Sequence, residues 1–346
     1  MDLETTLIDP FVGPTWDRMV LSHPQANFFH SVAWARVLAK SYGHTPLYLR
    51  FSQKGALRAI VPLMEVNSYF TGRRGVCLPF SDCCSPLLFD DCKASIVTAK
   101  LSALALERSW KHFEIRGETE QEGVVGKAVE YYGHTLDLRQ SRTGLLASFS
   151  GPVRRAIRKA EESKLRVEVS RSRKSLVEFY QLHVRTRRRH GLPPQPFSFF
   201  RNIYDEVIRT GSGFVVRAVL ESRSVAAAIF FQFGRTAIYK FGASERAAQK
   251  LRGNNLVMWE AIRFLAHGCC EILHLGRTSL TNVGLRRFKL GWGAVEELIR
   301  YRKWDTAAGK WVDGRDHVTG LHNAFFAKMP IAINRFSGAL LYPHLD

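Results

Sequence analysis

The sequence FVVRAVLESRSVAAAIFFQFGRTAIYKFGAS occupies residues 214–244 and decides the fold class. It contains three apolar runs rich in Val, Ile, Phe and Ala. Each run ends in a turn signal, at Glu221–Ser224, Gly234-Arg235 and Gly242–Ser244. Apolar runs of this length with turn residues at both ends are typical of strands that are buried on at least one face. The stretch therefore predicts three consecutive strands.

A helix and a fourth strand are predicted in the next segment, LRGNNLVMWEAIRFLAHGCCEILHLGRT, residues 251–278. Asn254 or Asn255 can cap a helix that runs to about His267, with Gly268 as its stop. A short strand at 271–275 follows. We expect a Gly/Arg/Thr loop and then a turn at FKLGWG, residues 288–293, to complete the unit.

The first half of the chain repeats this order. YLRFSQKGALRAIVPLMEV, residues 48–66, reads as strand, polar turn and apolar strand. A further strand, a helix of about five turns from Cys92 to Trp110 and a short strand come after it. Repeated supersecondary order at this spacing predicts two domains of one type in tandem. The predicted fold class is α+β, with mixed sheets flanked by helices.

The charge of the chain indicates an anionic partner. Fifty Lys and Arg against 31 Asp and Glu give the 346 residues a net charge of +19. Nucleic acid, a phosphorylated small molecule and an anionic membrane surface all fit this balance.

The N-terminus MDLETTLIDP has acids where a secretory signal has bases, and no apolar run is long enough to span a membrane. The six cysteines form two adjacent pairs, Cys83-Cys84 and Cys269-Cys270, plus two single residues and no CxxC, so we expect a reduced, cytoplasmic chain without a metal site.

The segment Arg154–Arg189 is the most charged part of the chain, with thirteen Lys and Arg against four Glu. It predicts short helices, the second ending in RTRRRHG before Gly191. Two interpretations stay open, a solvated basic surface and a phosphate-binding wall that includes Arg187 and Arg188. His183 on the same helix is more typical of a buried core histidine than of a catalytic base.

The tail, residues 322–346, is apolar and carries Lys328 and Arg335. Such a segment can pack against the core or lie on an anionic membrane surface. Core packing is the expectation.

Several segments of the second half resemble the Fem-like branch of the GNAT acyltransferase superfamily. They are EFYQLHVRTRRRHGLPPQPFSFF (178–200), YKFGAS (239–244), LRGNNLVMWEAI (251–262), LGRT (275–278) and GLRRFKLGWGA (284–294). SVAWARVL (31–38) and PFSDCCSPLL (79–88) extend the resemblance more loosely into the first half. That branch includes the aminoacyltransferases that build peptidoglycan bridges, and shorter acetyltransferase-like proteins of polysaccharide and cell-envelope gene clusters. The resemblance implies an N-terminal GNAT-like domain over 1–150, a basic helical connector over 151–210 packed on the second domain, and a C-terminal GNAT-like domain with the apolar tail over 211–346.

The resemblance also implies the site residues. In this family the Phe-Lys pair of the closing motif lies at the reaction centre, which corresponds here to Phe288 and Lys289. Acyl transfer needs positive charge where the oxyanion or leaving group develops, and Lys289 is the leading candidate to supply it. Arg277, in the LGRT loop, can clamp a phosphate or a carboxylate. Many relatives carry an Asp where this chain has His274. The further substrate-binding candidates are Lys240, Asn254, Asn255, Trp292, Arg187 and Arg188.

The co-substrate stays open between acyl-CoA and aminoacyl-tRNA, and no tightly bound cofactor is expected. CoA-dependent GNAT proteins cradle the pyrophosphate with glycine-rich backbone at the start of the main helix. Here the matching segment is Lys250–Asn255, with one glycine, Gly253, and with Asn255 in place of the second.

The predicted function is an N-acyltransferase that moves an acyl or aminoacyl group onto an amine of a cell-envelope or exopolysaccharide precursor of the peptidoglycan kind. Its acceptor would be an anionic, lipid-linked or nucleotide-linked molecule. The protein would be cytoplasmic, with peripheral contact to an anionic inner membrane as an option. The alternative is a non-catalytic basic module that binds RNA or an anionic envelope polymer on a degenerate acyltransferase scaffold.

Overall fold

The computed structural model describes residues 3–13, 15–90, 92–118, 127–268, 270–314 and 322–345. Cys269, of the second predicted cysteine pair, lies outside them. By its internal contacts the chain divides into two compact units. One comprises Met1–Tyr131, Leu298–Asp316 and Pro343–Asp346, and the other comprises Tyr132–Glu297 and His317–Tyr342. The domain boundaries at residues 150 and 210 stay predictions.

The N-terminal part of the first unit contains two antiparallel or mixed sheets and three α-helices among its described residues. In chain order its elements are β1 Glu4–Ile8, α1 Thr15–Leu21, α2 Val32–Tyr42, β2 Thr45–Pro46, β3 Tyr48–Gln53, β4 Ala56–Val61, β5 Met64–Ser68, β6 Gly72–Val76, β7 Leu87–Leu88, α3 Ala94–Glu107 and β8 His112–Glu118. One sheet has the order β1-β3-β4-β7, and the other runs β8-β6-β5-β2. Strands β6 and β8 are parallel, which makes the second sheet mixed.

The remaining elements continue in chain order from residue 129. They are β9 Val129–Asp137, α4 Arg142–Ser148, α5 Gly151–Glu162, β10 Leu165–Ser170, α6 Arg173–Arg189, α7 Phe197–Ile203, β11 Gly213–Leu220, β12 Arg223–Phe233, β13 Thr236–Ser244, α8 Gly253–His267, β14 Ile272–His274, β15 Thr278–Ser279, α9 Val283–Leu290, β16 Val295–Asp305, β17 Lys310–Val312, α10 His322–Lys328 and α11 Ile331–Leu341. The three strands predicted from residues 214–244 are β11, β12 and β13. The predicted helix is α8, which begins at Gly253 without the side-chain cap predicted from Asn254 or Asn255, and the predicted fourth strand is β14.

The sheet of the second unit has the order β10-β11-β12-β13-β14-β9. Helix α8 packs on one face and α6 on the other, because successive residues of a strand point to opposite faces. In β12, Ala226, Ala228 and Phe230 belong to the core beneath α8. The next residue, Phe231, contacts Phe241 on the other face, beside the rings of α6 and α7. A strand buried on both faces explains why residues 225–231 are apolar without alternation.

Strands β13 and β14 are parallel and pair only from Thr236/Ile272 to Ile238/His274. Strand β13 continues to Ser244 on β12, with a bulge between Ile229 and Phe230. The chain after His274 stays with β9 instead, since Leu275 N donates to His134 O at 2.8 Å and β15 also pairs with β9. The two parallel strands therefore diverge beyond His274, at the end of the sheet where α8 begins.

The turn predicted over residues 288–293 is partly wrong, because residues 288–290 end a helix and only residues 291–293 form a turn. Residues 283–290 form α9, whose first turn is capped by Asn282: its side-chain oxygen accepts from Leu285 N at 3.1 Å. The turn was predicted from the glycines at the end of the motif, and the capping residue Asn282 before its start was not taken into account. Phe288 and Lys289 consequently lie in the last turn of a helix.

The expectation that the tail packs into the core is also wrong for most of its apolar side chains. In α11 the buried residues are Asn334 and Gly338, and Tyr342 is buried directly after it. The large apolar side chains of the same helix are exposed.

Among the described residues, no helix combines the length and the apolar character needed to cross a bilayer.

The first prediction concerns the pH dependence of folding. His183 is buried in the second unit, stacks on Phe179 and hydrogen-bonds Gln195 Oε1 at 2.9 Å. Burial, followed by the charge of Arg187, lowers its pKa to about 3. The unfolded chain takes up this proton below about pH 6.5, so the stability that neutral His183 contributes is present above that pH and is lost as the pH falls toward 3.

We therefore expect the free energy of unfolding to fall with decreasing pH by up to about 1.4 kcal/mol per pH unit for this histidine. Urea unfolding of the wild type and of His183→Gln between pH 7 and about pH 4 measures the slope, which the substitution should reduce. His267→Gln, at an exposed residue of α8, is the matched control. Equal slopes in the wild type and His183→Gln would contradict the assignment.

Candidate acyl-transfer site

The start of α8 lies against the sheet because residue 253 has no side chain. A Cβ on Gly253 would stand 3.2 Å from the Ala226 Cβ and 3.5 Å from the Ala218 Cβ. The preceding residue, Arg252, has a left-handed backbone with φ of 58°. Its carbonyl accepts from Asn255 N at 2.9 Å and thereby closes the first turn. The first N–H groups of this 15-residue helix are thus brought to the sheet surface, where the helix dipole favours negative charge.

Two adjoining cavities surround this helix start. One has a volume of about 560 Å³ and lies between α5, α8 and α9. The other, of about 220 Å³, lies between the ends of β12 and β13 and α8. Arg252, Asn255 and Phe288 line both cavities. We call the two together the α8 cleft.

The α8 cleft is rich in positive charge. Arg155 and Lys159 come from one face of α5, Arg252 from the start of α8, and Arg287 from α9. The acidic side chain among its lining residues is Glu245, which lies 3.4 Å from Arg223. Cations and a helix N-terminus around one cavity are suited to bind phosphate groups. The phosphate-wall interpretation of the basic segment stays a prediction, and Arg155 and Lys159, which line the cleft, were not singled out from the sequence.

Lys289 is buried behind the α8 cleft. Its Nζ donates to Gly276 O at 2.7 Å and to Arg277 O at 2.9 Å, and the residue is 2% exposed. A buried ammonium needs acceptors of this kind to offset its desolvation. Lys289 therefore fixes the loop that follows β14, at the place where β13 and β14 separate. Phe288 points the other way and lines both cavities.

The structure brings some of the other predicted residues to the α8 cleft. Asn255 lines both cavities, and Asn254 lines the smaller one while its amide donates to Ser244 Oγ at 3.2 Å. Trp292 is fully buried in the core against Phe149 and Phe288, which removes it from any surface that a substrate could touch.

The remaining predicted residues do not line these two cavities. Arg277 lies in the loop held by Lys289. Lys240 lies in β13, with its Nζ 5.7 Å from the centre of the Phe241 ring. Arg187 donates to Tyr342 Oη at 2.8 Å and to Pro193 O at 3.3 Å, at the end of α6. Arg188 is half-buried beside it. The roles of these residues stay predictions.

A polar cluster near Lys289 escaped prediction from the sequence. Glu296 accepts two hydrogen bonds from Arg286, at 2.8 and 2.7 Å, and lies 3.1 Å from the Nε2 of buried His134. Arg286 also stacks on Tyr132, 4.1 Å from the ring centre. His134 and Glu296 are far apart in the sequence, so no local spacing could have indicated the cluster.

The electrostatics of the cluster keep its carboxylate ionised and its histidine neutral. The hydrogen bonds from Arg286 are the main cause that lowers the pKa of Glu296. Burial, and then the charge of Lys289, lower the pKa of His134, against the opposing effect of Glu296. The cluster thus places one carboxylate near Lys289 and joins β9, α9 and β16 around the loop after β14.

Comparison with known families identifies the region that contains the α8 cleft. Residues 147–290 match the family described as "Acetyltransferase (GNAT) domain". This region is similar to GNAT acetyltransferase domains. The region contains Arg155, Lys159, Arg252 and Lys289. The family match confirms the prediction of an acyltransferase. No curated protein sequence matches the chain.

Solved structures support the same fold over most of the chain. FemX is 15% identical, with a TM-score of 0.69 over 86% of this chain and 96% of FemX. L-PGS from Bacillus licheniformis is 14% identical, with a TM-score of 0.55 over 94% and 97%. A tandem GNAT protein from the clavulanic acid biosynthesis pathway is 10% identical, with a TM-score of 0.54 over 88% and 99%. At these identities the likeness establishes fold, and it confirms the predicted α+β class and the Fem-like, tandem GNAT architecture.

The second prediction tests the cluster at Glu296. Glu296→Gln removes the charge that pairs with Arg286 and leaves His134 beside Lys289 without a carboxylate. We expect the melting temperature to fall by about 2–4 °C, a shift that corresponds to roughly 1 kcal/mol in a domain of this size. Glu297→Gln, at the exposed neighbour, is the matched control and should melt like the wild type. Two equally stable variants would show that the cluster contributes nothing to folding.

Proposed function

We propose that the protein is a Fem-like N-acyltransferase whose donor lies in the α8 cleft. It transfers an acyl or aminoacyl group to an amine of a cell-envelope or exopolysaccharide precursor. The observation that carries the proposal is the ring of four cations around the N-terminus of α8, inside the matched GNAT domain. A donor that presents phosphates to such a site is bound by both the side-chain charges and the helix dipole.

Among the two donors, acyl-CoA is favoured. GNAT domains imply an acyl-CoA co-substrate. Gly253 lets the helix start approach the sheet closely, and Asn255 lines both cavities. For aminoacyl-tRNA, fewer arginines at the end of α6 are available to bind phosphates than the sequence suggested. Arg187 and Arg189 already donate to Pro193 O, Tyr342 Oη and Ser244 O.

The reaction forms an N–C bond between the acceptor amine and the acyl carbonyl and breaks the C–S bond of the thioester. The thiolate leaves with CoA, and the amine loses one proton to solvent. Negative charge develops first on the carbonyl oxygen and then on the leaving sulfur. We expect Lys289 to support this step by its positive charge and by fixing the loop at Gly276 and Arg277. The acceptor, the acyl group and the cytoplasmic location are parts of the proposal that rest on the Fem-like resemblance alone.

The third prediction tests the donor by thermal unfolding with and without acetyl-CoA. A ligand that binds only the folded state adds about 2.7 kcal/mol of stability at a hundred times its dissociation constant. We expect a clear rise in melting temperature, and a smaller rise for Arg252→Ala and Lys159→Ala because each removes a phosphate-facing cation. Arg209→Ala, an exposed residue after α7, is the control and should respond like the wild type.

If acyl-CoA does not stabilise the protein and aminoacyl-tRNA binds to it with a steep salt dependence, the acyl donor is aminoacyl-tRNA and not acyl-CoA. A chain that binds RNA and transfers no group from either donor would support the non-catalytic alternative and refute the proposal.

The fourth prediction tests Lys289. Lys289→Met keeps most of the side-chain volume and removes the ammonium group. We expect turnover to fall by about 10²-fold, because one charge near the developing oxyanion is lost. Circular dichroism and melting temperature must be recorded with it, since the Gly276 and Arg277 carbonyls also lose their donor. Lys164→Met, at an exposed residue, is the control. Unchanged turnover in a folded Lys289→Met protein would exclude Lys289 from the reaction.

A further inference from the structure

Helix α11, Ile331–Leu341, turns small and polar residues toward the protein and large apolar residues outward, which is the reverse of a typical surface helix. Its buried positions are Asn334 and Gly338, and Tyr342 follows in the same stripe. These residues are spaced four apart, so they lie on one face of the helix. Helices on globular proteins normally turn their large apolar residues inward.

The buried stripe is held in place by small and polar contacts. Asn334 Nδ2 donates to Phe326 O at 3.2 Å. Gly338 lies directly against the Pro194 carbonyl, where a Cβ would collide with backbone. Tyr342 Oη accepts from Arg187 at 2.8 Å and donates to Pro193 O at 3.3 Å. These contacts fix which face of α11 is turned outward.

The outward face is apolar. Ile333, Phe336 and Leu340 are 52%, 63% and 56% exposed. Their spacing of three and four residues places them in one stripe, about half a turn away from Asn334 and Gly338. Phe325 of α10 is 65% exposed and adds a further aromatic ring on the same two-helix tail. Large exposed apolar side chains grouped in this way mark an interaction surface.

Positive charge accompanies this face. The described tail residues, 322–345, include Lys328 and Arg335 and no carboxylate. Both tail helices pack on α6, whose terminal Arg187 and Arg189 already donate to Pro193 O, Tyr342 Oη and Ser244 O, so the charge beside this face comes from the tail itself. The whole chain carries a net charge of +19.

We propose that the outward face of α10 and α11 docks on the surface of an anionic lipid bilayer. Ile333, Phe336, Leu340 and Phe325 enter the boundary between headgroups and acyl chains, and the exposed Lys328 meets the lipid phosphates. An apolar helix face with basic residues beside it binds membranes in this orientation, parallel to the surface. The inference is independent of the proposed function, since it uses no residue of the α8 cleft.

Charge favours a bilayer over a second copy of the chain as the occupant. A two-fold symmetric contact through α11 would bring the same basic surface of both copies together. Between chains of net charge +19 this repulsion opposes association, whereas an anionic membrane is attracted.

Co-sedimentation with vesicles tests the proposal in the full chain. We expect binding to vesicles that contain phosphatidylglycerol and weak binding to pure phosphatidylcholine. The triple variant Ile333→Ser/Phe336→Ser/Leu340→Ser should bind the anionic vesicles at least about tenfold more weakly, because it removes the inserting groups. The control Val12→Ser/Leu106→Ser/Val295→Ser replaces three other exposed apolar residues and should bind like the wild type.

Two further measurements distinguish insertion of the apolar face from adsorption by charge alone. The tryptophan of a Phe336→Trp variant should shift its emission to shorter wavelength on anionic vesicles, since the ring leaves water. Lys328→Glu should weaken binding to anionic vesicles and leave the weak binding to phosphatidylcholine as it is. Absent binding to anionic vesicles, or equal binding by the triple variant and its control, would overturn the proposal. So would sedimentation equilibrium that shows a dimer for the wild type and a monomer for the triple variant, because a second copy would then cover the face.

Discussion

The geometry of the acyltransferase domain depends on the close approach of α8 to β11 and β12 at Gly253. The space beside this glycine is bounded by the side chains of Ala218 and Ala226, both among the smallest available. Any larger residue at one of these three positions would lift the helix start from the sheet. The apolar face of α8, including Trp259 and Ile262, packs on the same sheet further along. The core and the phosphate-facing helix start are therefore set by one packing arrangement.

A second constraint acts on the loop after β14. Lys289 binds the carbonyls of Gly276 and Arg277, and Glu296 ties Arg286 to His134. Together they hold the loop after β14 next to β9, away from β13. Because a buried ammonium and a buried histidine both require partners, these contacts specify a single loop conformation. The separation of β13 and β14, which opens the sheet beside α8, follows from it.

The tail packs on the protein through a different kind of side chain from the core helices. In the contact of β12 with α8, the large apolar side chains lie inside. In α11 the contact with the protein is made by Asn334 and Gly338, so the apolar residues have no core to enter. The number of apolar residues in the tail predicts core packing. Only the position of Pro194 against Gly338 shows which face is turned inward.

The sequence by itself determined the elements whose signals are local. Apolar runs with turn residues indicated β11, β12 and β13, and Gly268 indicated the end of α8. The motif around Phe288 and Lys289 indicated the GNAT family, and the family match confirmed it. What the tertiary structure decided is which distant residues meet. Arg155 and Arg287 share one cavity, His134 meets Glu296, and Trp292 lies in the core, because packing of whole helices and strands sets these contacts and no short-range pattern encodes them.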